Sequence, residues 1–103
     1  MKFLAIAKQK DSLMTLPPAT IRQLLETSWT AMKHQKAQGK IVDYFYSPLR
    51  CTVVVVDYPS TEEWVKDQAA IPILAYYDQE IYPLSEAEPA IEGLLEGLKA
   101  AGG

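Results

Sequence analysis

The sequence predicts an α+β fold: a four-stranded antiparallel sheet with two helices on one face and an extra helix at the C-terminus. Two observations predict it. Four runs of strand character, near 2–8, 40–46, 50–57 and 75–82, alternate with two helical stretches in the order β-α-β-β-α-β. Prolines and Gly39 punctuate the boundaries between them, where a fixed φ or a left-handed turn ends an element. That order is the ferredoxin-like split βαβ arrangement.

Each element has its own reason. The apolar run Phe3–Ala7 makes the first strand, and Thr15–Pro18 breaks the chain before a long helix. Ile21, Leu24, Leu25, Trp29 and Met32 fall at the spacing of a buried helical stripe, and Gly39 supplies the stop. The second strand runs to Tyr46, and Ser47-Pro48-Leu49 turns into the third, whose β-branched Val53–Val56 run predicts burial on both faces. Ser60 followed by Glu63 is a capping box opening a short helix to about Ala69. A turn at Pro72 leads to the fourth strand, with a stop at Pro83. Ser85 and Glu88 form a second capping box, and Ile91, Leu94, Leu95 and Leu98 give the last helix one apolar stripe. Gly93 and Gly97 each cost that helix about 1 kcal/mol relative to Ala, so it needs a surface to dock on.

The chain of 103 residues is read as one domain, a core over 1–84 with a helical extension over 85–103. A net charge of −3 without a Lys/Arg block argues against nucleic acid as a partner. No apolar run approaches the ~20 residues that cross a bilayer, so no membrane partner is expected. The opening MKFLAIAKQK is too short in its apolar run for a signal peptide, and the lone Cys51 suits a reducing compartment, which together predict a cytoplasmic protein. Neither a metal nor a cofactor is expected. His34 is the only histidine and lies on the polar side of its helix, and no phosphate loop or nucleotide fingerprint is visible.

Strand alternation assigns a candidate site. It sets Tyr76, Asp78, Glu80 and Tyr82 on one face of the fourth strand, and Tyr77, Gln79 and Ile81 on the face toward the helices. With Asp43 turned away from the helices, Ile41 and Phe45 follow it, and Leu4, Ile6 and Lys8 complete an uncovered face. Asp43, Asp78, Glu80 and Tyr76 are the catalytic candidates. A carboxylate in a pocket beside phenols would take a proton α to a carbonyl while a phenol bonds the enolate. Leu4, Ile6, Phe45 and Tyr82 are the candidate ligand-binding residues. An apolar face of this size calls for a second copy of the chain, with a small-molecule ligand between the layers. The plainer reading makes the carboxylates an exposed strand face paired with Lys8 or Arg50. Trp29 and Trp64 are read as core packing.

Three segments resemble the muconolactone isomerase family: Gln38-Gly39-Lys40 at a helix end, Asp57 with Ser60–Glu63, and Ile71-Pro72-Ile73 with Tyr76, Asp78, Glu80 and Pro83-Leu84. The resemblance covers the first strand to Leu84 and implies a dimeric α+β barrel, a homodimer or higher homo-oligomer. It further implies a cofactor-free isomerase acting by proton shift on a small carbonyl or lactone compound. Leu4 and Ile6 stand where that family has polar and basic side chains. The alternatives are a non-catalytic module that binds a hydrophobic ligand or serves assembly, and a cofactor-independent monooxygenase.

Overall fold

The computed structural model describes residues 1–48 and 50–103. Its elements follow the predicted order: β1 (Lys2–Gln9), α1 (Pro18–Ala37), β2 (Ile41–Ser47), β3 (Cys51–Asp57), α2 (Thr61–Gln68), β4 (Tyr77–Leu84) and α3 (Ala87–Ala100). Short 3-10 helices at Asp11–Thr15 and Pro72–Tyr76 precede α1 and β4. The strands lie in the order β2-β3-β1-β4, every neighbouring pair antiparallel. The turn read at Ser47-Pro48-Leu49 includes Leu49, which lies outside the described residues.

Local chemistry sets these boundaries. Pro17 and Pro18 open α1, and Gly39 leaves it at φ +79, a conformation an L side chain rarely adopts. The backbone N–H of Glu63 donates to Ser60 Oγ at 3.3 Å, the expected cap of α2. The second expected capping box does not form: Glu86, not Ser85, holds the N-cap position of α3, with no side-chain cap bond.

Three sequence expectations are corrected. Ala75 and Tyr76 belong to the 3-10 helix, so Tyr76 is not on the strand face with Asp78; its carbonyl instead accepts Lys10 N–H at 2.8 Å. Pro83 does not stop β4, which continues to Leu84. β4 is an edge strand, where one hydrogen-bonding rim has no partner and a missing N–H is tolerated. The β2–β3 register slips between Ile41 and Asp43, a bulge at Val42. It turns Ile41 into the core at 3% exposure, while Asp43 and Phe45 keep the opposite face.

The core lies between the helices and one sheet face. Phe3 stacks on Trp64 with centroids 5.1 Å apart, beside Ile41, Val56 and Tyr58. A second cluster joins Leu13, Ile71 and Ile73. Burying each such large side chain contributes about 1.5–3 kcal/mol. Val53 and Val55, on the other face, are only half-buried, so β3 is not covered on both sides as its run of valines predicts.

Asp67 closes the layer. Its Oδ2 accepts Lys40 Nζ at 2.8 Å and the Tyr58 hydroxyl at 2.9 Å, and its carbonyl accepts Gln35 Nε2 at 3.3 Å. The Lys40 ammonium holds the Asp67 carboxyl below its usual range, and the Tyr58 bond lowers it further against the opposing effect of burial. Burial first, then the hydrogen bond to Asp67 and after it the Asp67 charge, push the Tyr58 phenol well above its ordinary value.

α3 stands apart. None of its residues is buried, and Ile91, Leu94, Leu95 and Leu98 are each more than half exposed. The chain measures 61 × 29 × 22 Å with a radius of gyration of 17.4 Å, against about 13 Å for a compact domain of this length. Among the described residues no helix is long and apolar enough to cross a membrane.

Candidate functional site

A cavity of about 580 Å³ opens between α1 and the sheet. Its origin is visible in the register. Across the helix-side face run the rows Tyr44–Val54–Ala5–Ile81 and Tyr46–Thr52–Ala7–Gln79. The central strands supply small side chains, and the edge strands supply large ones. The floor is therefore low in the middle, and α1 spans it without filling it.

The stripe of α1 roofs this space. Ile21, Leu25, Trp29 and Met32 line it, and Leu25 and Trp29 remain 54% and 45% exposed because they overlook a void. Trp29 is thus a cavity wall, not the core packing its spacing predicts. Its ring pairs with Tyr44 at 5.2 Å between centroids. The deeply buried positions of α1 are polar: Ser28, whose Oγ accepts Ile73 N–H at 3.0 Å, and Gln35, bonded to the Asp67 carbonyl. These two anchors hold the helix at its height.

Polar groups gather toward β4. Gln9 pairs with Tyr77 and Ala7 with Gln79 in the register, and Gln79 Nε2 donates to Gln68 Oε1 at 3.4 Å. Burial and the neighbouring Tyr46 push the Tyr77 phenol above its ordinary value. It is therefore a neutral hydrogen-bond donor at physiological pH. Among the described residues no Asp, Glu, Lys, Arg or His lines the cavity, and no group of three His, Cys, Asp or Glu side chains is placed to hold a metal.

The site residues expected from the sequence lie elsewhere. Leu4, Ile6, Asp43, Phe45, Asp78, Glu80 and Tyr82 occupy the sheet face away from the helices, where Leu4 pairs with Tyr82 and Ile6 with Glu80. The Tyr82 hydroxyl donates to Glu80 at 3.0 Å, and that bond is the first cause of the raised Tyr82 phenol. Lys8 Nζ stands 3.6 Å from Glu80, Lys10 Nζ 3.8 Å from Asp78 and Lys36 Nζ 3.8 Å from Asp43. The three carboxylate side chains are at least half exposed, so within one chain they lack the burial that a pocket base needs. Tyr76 packs against the Leu13 cluster instead. Of the eight, only Phe45 also borders the cavity.

The sequence alone does not single out Tyr44, Tyr46 and Tyr77 as one site. Its available signal is the pair Tyr77 and Gln79 facing the helices: polar groups on a strand's covered face mark a place where that layer is not solid.

No protein-family model matches the sequence, and no curated protein does either. Among solved structures the chain is similar to muconolactone isomerase, with a TM-score of 0.72 at 20% identity over 85% of this chain and 92% of that one. A protein of Agrobacterium tumefaciens matches at a TM-score of 0.46 and 14% identity, over 86% and 98% of the two chains. The fold is therefore muconolactone isomerase-like.

Proposed function

We propose, with the muconolactone isomerase-like fold as premise, that this chain is a cofactor-free isomerase that holds a small carbonyl or lactone compound between α1 and the sheet. The cavity of about 580 Å³ carries the reading: it falls within the range of small-molecule sites and is walled by apolar and aromatic side chains. In the reaction a base removes a proton α to the carbonyl, the developing enolate oxygen accepts a hydrogen bond, and the proton returns at another carbon. Tyr46 and Tyr77 are suited to the hydrogen bond. Among the described residues no base lines this cavity; Asp43, Asp78 and Glu80, with Tyr82 beside Glu80, face the other side of the sheet and are the proposed bases for a compound held there under a second copy.

A second reading is ligand binding without turnover. It is favoured by the cavity's own lack of any carboxylate or imidazole. Incubation with small enones and lactones in deuterated water separates the two. An isomerase exchanges substrate protons for deuterium, and Asp43→Asn, Asp78→Asn or Glu80→Gln slows the exchange while the fold persists. Saturable binding with no exchange in any case sinks the enzyme reading.

The same proposal includes self-assembly in the cytoplasm. Phe45 and Tyr82 are 60% and 48% exposed beside half-buried Leu4 and Ile6, and a second sheet would cover them. Cys51 is free and on that face, which suits a reducing compartment.

A further inference from the structure

Resting on the cavity as the ligand site, we propose that its occupant is an uncharged, flat, aromatic or unsaturated molecule bearing one polar end, and that the site refuses an anion of the same shape. The lining is the first argument. Every polar side chain in it is a phenol, an amide or a hydroxyl, and none carries a charge at neutral pH. A carboxylate drawn into such a space loses much of its water and meets no cation, a cost that neutral hydrogen bonds do not offset.

Two ammonium groups of α1 stand against the aromatic wall and are already engaged. Lys33 Nζ lies 5.7 Å from the centroid of the Trp29 ring and Lys36 Nζ 5.2 Å from that of Tyr44, so each meets the cavity wall, not its interior. Lys36 is also 3.8 Å from the Asp43 carboxylate. Lys8 and Lys10 pair with Glu80 and Asp78.

Shape and polarity give the rest. The Trp29–Tyr44 pair, tilted by 32°, offers flat surfaces on one side, and Ala5 and Ala7 leave room beneath a planar ring. Gln9, Gln68, Tyr77 and Gln79 concentrate donors and acceptors at the β4 side. An amide offers both, so this end suits a carbonyl, a hydroxyl or an amide equally, and it orients the ligand without requiring charge.

Naphthamide and naphthoate test the proposal, being a neutral amide and its isosteric carboxylate. Calorimetric titration of the full chain at neutral pH is expected to give naphthoate an affinity at least about thirtyfold weaker than that of naphthamide. Ala7→Trp, which fills the floor, should abolish naphthamide binding. Gln79→Arg, which adds a cation at the polar end and disturbs no core residue, should bring naphthoate to within a few-fold of naphthamide. That second variant keeps the test intact if Ala7→Trp fails to fold. Equal or tighter naphthoate binding by the unaltered chain, blocked by Ala7→Trp, overturns the preference and leaves the cavity as the site. Binding that neither variant alters lies elsewhere and overturns both readings, as does failure of naphthamide to bind.

Discussion

Asp67 is one carboxylate serving three elements, since it bonds Lys40 after α1, Tyr58 after β3 and, through its carbonyl, Gln35 within α1. Asp67→Asn should therefore cost about 1–3 kcal/mol at neutral pH by leaving the buried Tyr58 hydroxyl and the partly exposed Lys40 ammonium without their anion. The folded chain holds this carboxyl below its ordinary 3.8, so its contribution is complete above that value and is lost as pH falls through the lowered one. Thermal melts against pH should show parent and variant converging in acid. A gap that stays constant below pH ~3 would mean that charge is not what Asp67 supplies. At Ala7 the opposite applies. A larger side chain in a tight core costs about 1–3 kcal/mol, but Ala7→Leu projects into the cavity and should change stability by less than about 1 kcal/mol while weakening naphthamide at least about tenfold. Neither role is legible in the sequence. Asp67 and Lys40 are 27 residues apart on unrelated elements. Small residues on a strand read equally as floor or as close packing until the helix height is known, and that height is set by Ser28 holding Ile73 N–H.

At the level of elements the sequence is mostly sufficient. Helical spacing, the Ser60 cap and Gly39 find α1 and α2, and apolar runs, the β-branched Val53–Val56 run and alternation between turn residues find the strands, because these are local rules acting over a few residues. It fails where a neighbour decides. Only the β3 register reveals the bulge at Val42 that moves Ile41 to the core, and only the strand order reveals that Pro83 lies on an edge. α3 is the converse case: its apolar stripe is plain in sequence, and the fold leaves it uncovered. We expect it to cover part of a second copy. Deleting residues 86–103 should leave the sheet folded and the assembly weaker. Unchanged mass, unchanged melting temperature and unchanged hydrogen exchange in the strands would reduce α3 to a free tail.

The whole molecule is a small sheet-and-helix layer with an arm extending from it. Fold class was readable from the order of elements. The candidate site was not, because a cavity is a property of two layers at a distance, and alternation describes each layer alone. The carboxylate face and the tyrosine cavity are back to back on one sheet, and strand period by itself gives no reason to prefer either. Light scattering at micromolar concentration should return at least twice the chain mass of 11.5 kDa, and Phe45→Glu should shift it toward one chain by setting an unpaired carboxylate in the interface. A persistent single-chain mass would remove the assembly from the proposal. The undocked α3 then has a thermodynamic corollary. A helix of 14 residues carrying two interior glycines is marginal in water, so its formation is linked by mass action to the encounter with a partner. Serial dilution should lower the far-ultraviolet ellipticity of the chain through the dissociation range while the sheet signal holds, which makes backbone helicity itself a gauge of protein concentration.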